Sequence, residues 1–269
     1  MAPVSTSSPP PSPQPPRRVR VGGVPVDALD RAGMVARFRA DRVAGGAARV
    51  VLSLNGEGVW YYHRDSAFRE ALDAADIVHA DGMSVVRAGN RYTSAHFPER
   101  VATTDLYHDL AAACARDGAS VFFLGGRADT VERAAARARA AEPDLTIAGW
   151  HHGYFADGSA EEADVVARIR ELAPAIVFVG LGRPRQERWC LRWRDPLAGV
   201  TWLKTCGGLF DFLAGDAARA PRWMQDRGLE WLYRAAREPR RLAWRYLVTN
   251  AYSLYRYHRH RDDVAGRSG

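Results

Sequence analysis

One acidic residue, Asp81, lies at the expected end of a buried strand. The apolar run 77–80 predicts a short strand, and Asp81-Gly82 separates it from a helical pattern that follows at once. In open α/β sheets, ligands bind outside the carboxyl ends of the strands, where a carboxylate can remove a proton from an incoming hydroxyl group. Asp is also a preferred N-cap residue. Asp81 is therefore a candidate general base, and capping of the next helix is the alternative.

A pair of glycines, Gly125-Gly126, follows another predicted strand and precedes a helix. Backbone N–H groups in such a turn can approach a phosphate at the helix N-terminus. The pair belongs to neither a G-x-G-x-x-G fingerprint nor a Walker A loop. Phosphate binding and an ordinary tight turn are both open for these glycines.

The segment 180–187, Gly-Leu-Gly-Arg-Pro-Arg-Gln-Glu, follows a fully apolar strand. Its arginines can neutralise a diphosphate, and its glutamine can hydrogen-bond a sugar hydroxyl or a base. The alternative is an ordinary helix start, with the proline in the first turn and the glutamate favourable to the helix dipole. We favour the ligand-binding interpretation and assign to it Gly180, Gly182, Arg183 and Gln186.

Three further polar residues follow or connect predicted strands. Ser53 and Asn55 form a Ser-x-Asn pair at a strand end, which can orient a ligand hydroxyl. Asn is also common where a strand enters a turn. Nothing local distinguishes Arg100, in Pro98-Glu99-Arg100-Val101, from a surface arginine.

Alternating helices and strands surround these residues. Apolar runs predict strands at 50–54, 77–80, 121–124, 145–148, 176–179 and 200–203, and a small hairpin at 19–26 precedes them. Amphipathic patterns predict helices at 29–43, 59–72, 84–90, 104–116, 130–141 and 160–172. We expect Thr103 or Thr104 to cap the fourth of these helices. The pattern predicts a Rossmann-like α/β fold, a mostly parallel sheet with helices on both faces, whose strand ends gather the candidate residues at one edge.

Composition excludes several classes of protein. Hydrophobic residues make up 47% of the 269 residues, enough for a substantial core. The three cysteines lie far apart, which argues against a disulfide framework and suits a reducing cytoplasm. No apolar run is long enough to cross a bilayer, and no secretory signal is evident. The histidine pairs, His151-His152 and His258/His260, lack partners at metal spacing, so we expect no metal and no cofactor.

The charge divides the chain unevenly. We predict a Pro/Ser-rich disordered tail at 1–18, the α/β domain at 19–218, a basic aromatic helical appendage at 219–262 and a second tail at 263–269. The appendage holds eleven arginines and four acidic residues, so its net charge of +7 equals that of the whole chain. Arg, Trp and Tyr together favour an anionic membrane surface. A basic helix packed on the domain and nucleic-acid binding are the alternatives.

Between about residues 21 and 250, the chain resembles the WecG/TagA/CpsF-type bacterial glycosyltransferases. The resemblance rests on the order and spacing of several motifs, none of them specific alone. They are Ser53-Leu54-Asn55, Ala75-Asp76 through Asp81-Gly82, Pro98-Glu99-Arg100-Val101, Phe123-Leu124-Gly125-Gly126, His152-Gly153-Tyr154-Phe155, Val179-Gly180-Leu181-Gly182-x-Pro-x-Gln-Glu, Gly207-Gly208-x-Phe-Asp, Arg219-Ala220-Pro221 and Gly228-Leu229-Glu230-Trp231.

The resemblance implies an inverting, metal-independent transfer of a sugar, of the N-acetylmannosamine type or a related hexose. The donor would be a UDP-sugar and the acceptor a polyprenyl-diphosphate-linked sugar, in the synthesis of a cell-surface polysaccharide or wall polymer. The protein would then be cytoplasmic and peripherally bound to the inner face of the plasma membrane. Self-association that competes with docking of the appendage is also implied, so a homo-oligomer is open.

The resemblance also implies roles for individual residues. Asp81 matches the family's proposed base, and Ser53-x-Asn55 matches its Thr-x-Asn motif. Active-site Arg and Gln residues of the family match Arg100 and Gln186. The appendage would close over the site with three arginines, which correspond to Arg234, Arg241 and Arg245.

One departure from the family pattern lies beside the predicted site. After Glu-Arg-Val the family usually has a glycine, whereas this chain has Thr103-Thr104-Asp105. The change affects a loop near the expected acceptor. Two alternatives from other classes stay open: a nucleotide-sugar-binding regulatory module without turnover, and a basic nucleic-acid-binding protein, although we expect no nucleic-acid partner.

Overall fold

The computed structural model describes residues 17–237 and 239–260, and only the backbone of 239–243. Its centre is an eight-stranded sheet in the order β1-β2-β4-β3-β8-β7-β5-β6. The strands are β1 (Arg18–Val21), β2 (Val24–Asp27), β3 (Arg49–Leu54), β4 (Ile77–Ala80), β5 (Ser120–Gly125), β6 (Thr146–His151), β7 (Ile176–Gly180) and β8 (Trp202–Thr205). All neighbouring pairs are parallel except β1 and β2, which form an antiparallel hairpin. This confirms the predicted fold class.

Helices cover the two faces of the sheet. In chain order they are α1 (Arg31–Ala44), α2 (Gly56–Arg64), α3 (Ser66–Ala74), α4 (Met83–Tyr92), α5 (Thr103–Arg116), α6 (Ala128–Ala141), α7 (Ala160–Leu172), α8 (Arg185–Trp193), α9 (Leu209–Ala214), α10 (Arg222–Asp226), α11 (Glu230–Arg237) and α12 (Pro239–Arg259). Strands covered on both faces are mostly apolar. The core accordingly forms two clusters, one on each side of the sheet.

Two local predictions need correction. The helix predicted at 59–72 is two helices, because Asp65 ends α2 and its side chain caps α3 by accepting from the backbone N–H of Phe68. The prediction that Thr103 or Thr104 is the N-cap residue of α5 is also wrong. Thr103 is the first residue of α5, and no side chain of the N-cap residue, Ala102, can cap the helix.

The hairpin formed by β1 and β2 is part of the main sheet. Strand β2 continues the sheet by pairing in parallel with β4, where Asp27 lies beside His79. The buried carboxylate of Asp27 forms an ion pair with Arg18 at 2.7 Å and accepts from the backbone N–H of Val78. Burial of a charge requires such partners, so Arg18 fixes the edge of the sheet.

The C-terminal helices α10 to α12 follow the last strand. Helix α11 ends at Arg237 and α12 begins at Pro239, as the proline in the sequence predicts. Trp244, Leu247 and Leu254 of α12 expose 74%, 62% and 54% of their surface. Their spacing places them on one face of the helix. Among the described residues, the structure contains no helix with the length and apolar character needed to cross a membrane.

The two tails predicted at the chain ends fall almost wholly on residues 1–16 and 261–269, which lie outside the described residues.

Candidate active site at the carboxyl edge of the sheet

Asp81 is fixed between two elements at the carboxyl end of β4. Its backbone N–H donates to the carbonyl of Leu54 at the end of β3. Its carboxylate accepts from the backbone N–H of Thr103, the first residue of α5, at 2.9 Å. The N-terminus of α5, which is the positive end of its helix dipole, therefore faces the carboxylate. The side chain is partly exposed, so a ligand can reach it.

The capping alternative for Asp81 takes an unexpected form. The helix that directly follows Asp81 is α4, whose N-cap residue, Gly82, makes no side-chain cap. Asp81 instead satisfies an N–H group of α5, which begins 22 residues further along the chain. This contact gives the Asp81 carboxylate a structural role, but the side chain stays partly exposed, so the contact does not exclude the predicted role as a general base.

Arg183 joins two of the predicted motifs. Its guanidinium donates to Asn55 Oδ1 at 2.6 Å and to the carbonyl of Ser53 at 2.8 Å. It also forms an ion pair with Glu187 at 3.1 Å. Burial opposes the charge of Arg183, but the carboxylates of Glu187 and Glu57 outweigh burial and raise its pKa. The predicted residues Ser53, Asn55 and Arg183 therefore lie together, and they bind one another.

Gln186 lies beneath the surface. It is 2% exposed, and its amide nitrogen donates to Glu187 Oε1 at 2.9 Å. Its amide oxygen accepts from the backbone N–H of Gly207 at 3.2 Å. The side chain thus holds the turn after β8 against α8, and its predicted contact with a sugar remains a prediction.

The predicted glycines allow two strand ends to approach each other. Gly125 has a φ of 137°, and a Cβ atom there would overlap the backbone of Gly180. The N–H of Gly126 donates to the carbonyl of Gly180 at 3.3 Å, and its own carbonyl accepts from Gly153. The tight turn and its close approach to Gly180 therefore explain why glycines stand at positions 125 and 126. Gly182 is exposed and has open space around it.

Arg100 contacts the C-terminal helices rather than solvent alone. Its guanidinium donates to Glu230 Oε2, in the first turn of α11, at 2.9 Å. The other oxygen of Glu230 accepts from Arg219 Nε at 3.4 Å, and Arg219 also pairs with Asp105 in the first turn of α5. Asp81 binds the same turn of α5. The candidate base, Arg100 and the start of α11 are therefore all tied to the N-terminus of α5.

The three appendage arginines differ in their surroundings. Arg245 of α12 lies 3.4 Å from Glu57, in the first turn of α2. Glu57 in turn lies 3.8 Å from Arg183, so alternating charges connect α12 to the strand ends. Arg234 lies over the ring of Phe212, 5.7 Å from its centroid. The side chain of Arg241 lies outside the described residues.

Two buried basic residues near Asp81 were missed by the sequence analysis. Lys204 of β8 and His79 of β4 are both 0% exposed. Burial lowers the pKa of Lys204 to about 8, although the negative charge of Asp81 acts in the opposite direction. Burial, reinforced by the positive charge of Lys204, lowers the pKa of His79 well below its ordinary range. At neutral pH, Lys204 is therefore charged and His79 is neutral.

The sequence contained one signal for Lys204. It is the only lysine among the 38 Lys and Arg residues of the chain, and it stands in an apolar run between Leu203 and Thr205. A charged residue in a strand buried on both faces needs a specific reason. No comparable signal marks His79, because a lone histidine in an apolar run is compatible with an ordinary core position.

One cluster of potential metal ligands lies at the end of β6. His151 Nε2 and His152 Nε2 are 3.7 Å and 3.4 Å from Glu161 Oε1. His152 Nδ1 accepts a hydrogen bond from the backbone N–H of Tyr154. Glu161 gives the histidine pair an acidic partner that the sequence spacing did not show, and the three side chains form a group of potential metal ligands.

The fold and the candidate site together define a Rossmann-like α/β protein whose polar residues lie at the carboxyl edge of a mostly parallel sheet. A family model described as the glycosyl transferase WecG/TagA/CpsF family matches residues 19–264. The chain therefore belongs to this glycosyltransferase family, as its motifs predicted. Family membership supports transferase activity and a role in the synthesis of cell-surface polymers.

Proposed function

We propose that the protein is an inverting glycosyltransferase that transfers a sugar from a UDP-sugar to a polyprenyl-diphosphate-linked sugar, with Asp81 as the general base. The observation that carries this proposal is the position of the Asp81 carboxylate. It is partly exposed at the carboxyl edge of the sheet and held by the N-terminus of α5. A base that is fixed before the substrate binds needs no reorganisation during the reaction.

The proposed reaction is a single displacement. Asp81 removes the proton of the acceptor hydroxyl, whose oxygen attacks the anomeric carbon as the bond to UDP breaks. Positive charge must stabilise the diphosphate as it leaves. We assign that role to Arg100 and to the appendage arginines Arg234, Arg241 and Arg245.

Arg183 and Gln186 have a different role in this proposal. Because their polar groups bind Asn55, Ser53, Glu187 and Gly207, they shape the strand ends on which the donor would rest. The positive charge of Arg183 would also favour the binding of a diphosphate at these strand ends.

The proposed membrane partner is an anionic lipid surface. The exposed apolar face of α12, with Trp244 and Leu247, lies beside Arg245, and Trp and Arg are suited to the lipid interface. An acceptor carried on a polyprenyl chain would then be presented at the same surface. Truncation at about residue 218 should abolish transfer, and a truncated protein of full activity would refute this role of the C-terminal helices.

The test is acceptor-dependent UDP release, measured for a panel of UDP-sugars with a polyprenyl-diphosphate-GlcNAc analogue. The matched variant is Asp81→Asn, because an amide oxygen can still accept from the N–H of Thr103 but cannot act as a base. We expect release by the wild type and its loss in the variant. Release that survives in Asp81→Asn would remove Asp81 from the mechanism. UDP binding without release under any condition would favour the regulatory-module alternative.

A further inference from the structure

Three potential metal ligands meet beside the outer strand of the sheet. His151 is the last residue of β6, His152 follows it, and Glu161 lies in the first turn of α7. One ligand atom of each residue lies within 4.8 Å of the ligand atoms of the other two. All three side chains retain access to solvent, so an ion can reach them. Spacing in the sequence does not reveal this group, because a loop separates Glu161 from the histidines.

The distances within the group fit a coordination sphere better than a hydrogen bond. The Nε2 atoms of His151 and His152 lie 3.7 Å and 3.4 Å from Glu161 Oε1. A direct N–H···O hydrogen bond is about 2.7–3.2 Å long. Ligand atoms at about 2.0–2.2 Å from a tetrahedral Zn²⁺ are roughly 3.3–3.6 Å apart. Both distances to Glu161 therefore suit an ion held between the three side chains.

A contact on its other ring nitrogen prepares His151 to bind a metal. His151 Nδ1 lies 2.8 Å from the carbonyl oxygen of His152. Because a carbonyl oxygen only accepts, Nδ1 carries the proton, and in the neutral ring the free lone pair is on Nε2. Metal-binding histidines commonly have such a partner, which fixes the ring and makes the ligating nitrogen more basic. The lone pair of His151 is thus on the nitrogen that lies near Glu161.

His152 has to exchange one contact in order to bind. Its Nδ1 accepts from the backbone N–H of Tyr154 at 3.3 Å, in an exposed hydrogen bond. The proton of the neutral ring is then on Nε2, and binding through Nε2 moves it to Nδ1. The N–H of Tyr154 must then donate to water instead. Exchange of a long, exposed hydrogen bond for one to water has a small net cost.

The loop between the ligands is fixed by contacts outside the group. Arg185, the first residue of α8, donates to the carbonyl oxygens of Gly153 and Phe155, both at 2.6 Å. It also forms an ion pair with Asp157. The N–H of Gly153 donates to the carbonyl of Gly126 at 2.9 Å. Since the loop is held before an ion arrives, binding orders few additional groups.

The neighbouring carboxylates bind other groups. Glu162, the next residue of α7, accepts from the indole N–H of Trp193 and from the backbone N–H of Gly158. Asp157 pairs with Arg185. Glu161 is therefore the carboxylate available to the histidine pair.

The donor set indicates the class of metal. Imidazole nitrogens suit Zn²⁺ and the neighbouring divalent transition metals, whereas Mg²⁺ and Ca²⁺ prefer sites composed of oxygen ligands. Two imidazoles and one carboxylate supply three of the four positions of a tetrahedral zinc site. A water molecule would complete it.

We propose that His151, His152 and Glu161 form a binding site for Zn²⁺ or a similar divalent transition metal, which links the end of β6 to the start of α7. The proposal does not rest on the proposed function. Four strands lie between β6 and β4 in the sheet. At about 4.8 Å per step between strands, β6 is roughly 24 Å from the strand that ends beside Asp81. The metal therefore stabilises the loop after β6 and takes no part in the proton transfer assigned to Asp81.

The first experiment measures Zn²⁺ binding by the full chain without a histidine tag. The protein is freed of metal with a chelator, dialysed and titrated with Zn²⁺ in a calorimeter, and we expect one ion per chain. Glu161→Gln should weaken binding at least about a hundredfold, because loss of an outer partner of a ligand alone costs about 10–100-fold. Glu171→Gln, at an exposed site on the same helix, is the matched control and should bind like the wild type. Absence of binding, or equal affinity in Glu161→Gln and the wild type, would overturn the proposal.

The second experiment uses His152→Asn to remove a ligand and keep the local hydrogen bond. The amide oxygen of Asn can accept from Tyr154 N–H in place of Nδ1, but Nε2 is lost. Zn²⁺ at about 100 times its Kd should raise the wild-type Tm by about 5–10 °C over the metal-free protein. Mg²⁺ at the same concentration should not. The zinc-induced shift should disappear in His152→Asn, measured against its own metal-free Tm. An undiminished shift in this variant, or an equal shift with Mg²⁺, would refute the site.

Discussion

Replacement of Lys204 by methionine is expected to stabilise the protein, and by an amount that depends on pH. The pKa of Lys204 is about 8 in the folded protein, against an ordinary value of 10.5. At about 1.4 kcal/mol per pH unit, burial of the ammonium costs roughly 3 kcal/mol of folding free energy at low pH. Methionine has nearly the same shape and carries no charge, so Lys204→Met avoids this cost.

The direction of the pH dependence follows from the lowered pKa. Between pH 8 and 10.5 the unfolded chain binds more protons at Lys204 than the folded chain does. The contribution of Lys204 to wild-type stability therefore improves as the pH rises through this window. The advantage of Lys204→Met is full at pH 7 and below. It should shrink by about 2 kcal/mol between pH 7 and pH 9.5.

Urea unfolding followed by circular dichroism measures this difference. Both proteins are unfolded at each pH from 6.5 to 9.5 in the presence of reductant, and only the difference between them is interpreted, since other titrating groups are common to both. A difference that is constant across the pH range would contradict the reasoning. So would a variant less stable than the wild type at pH 7, because then the ammonium would be well satisfied where it lies.

Three further predictions follow from the geometry. Gly125→Ala should lower the unfolding free energy by at least about 2 kcal/mol, because φ is 137° and the new methyl group meets the backbone of Gly180. Urea unfolding measures this loss. Gly45→Ala is the control for backbone strain alone, since Gly45 also has a positive φ but has open space around it. Glu230→Gln should lower the free energy needed to open α11 by about 1 kcal/mol, because it removes the partly buried ion pair with Arg100. Hydrogen exchange of the backbone amides of α11 should then be faster. Unchanged exchange would show that the ion pair contributes nothing. Trp244→Asp should weaken binding to anionic vesicles in a flotation assay about tenfold or more. Val43→Asp, at a still more exposed site on α1, should not, and equal losses in the two variants would exclude a specific role for α12.

The fold was predictable because its signals are local and repeated. Each of the six predicted apolar runs, four or five residues long, overlaps a strand, although β8 begins two residues later than predicted. Glycines follow several of these strands and indicate the edge of the sheet where the candidate site lies. The division of α2 from α3 was missed because the helical periodicity continues through Asp65, whose cap becomes apparent only from its hydrogen bond to Phe68. A local pattern does not show which of two polar functions an Asp performs.

Within the candidate site, the sequence identified residues better than it identified their contacts. Ser53, Asn55 and Arg183 come from motifs about 130 residues apart, and nothing in either motif shows that the arginine binds the other two. The cap of α5 likewise comes from Asp81, across 22 residues of chain. Lys204 was overlooked although it is the only lysine of the chain and stands in a strand that is buried.

The hydrogen bond between Asp81 and the first N–H of α5 constrains what evolution can do at this position. A side chain at position 81 has two tasks, and only one of them requires acidity. Asn, Ser and Thr can accept the hydrogen bond of α5 without acting as a base, whereas Ala leaves the N–H group without an acceptor. A homologue that has abandoned catalysis while keeping this fold is therefore expected to carry Asn, Ser or Thr at position 81 rather than a small apolar residue.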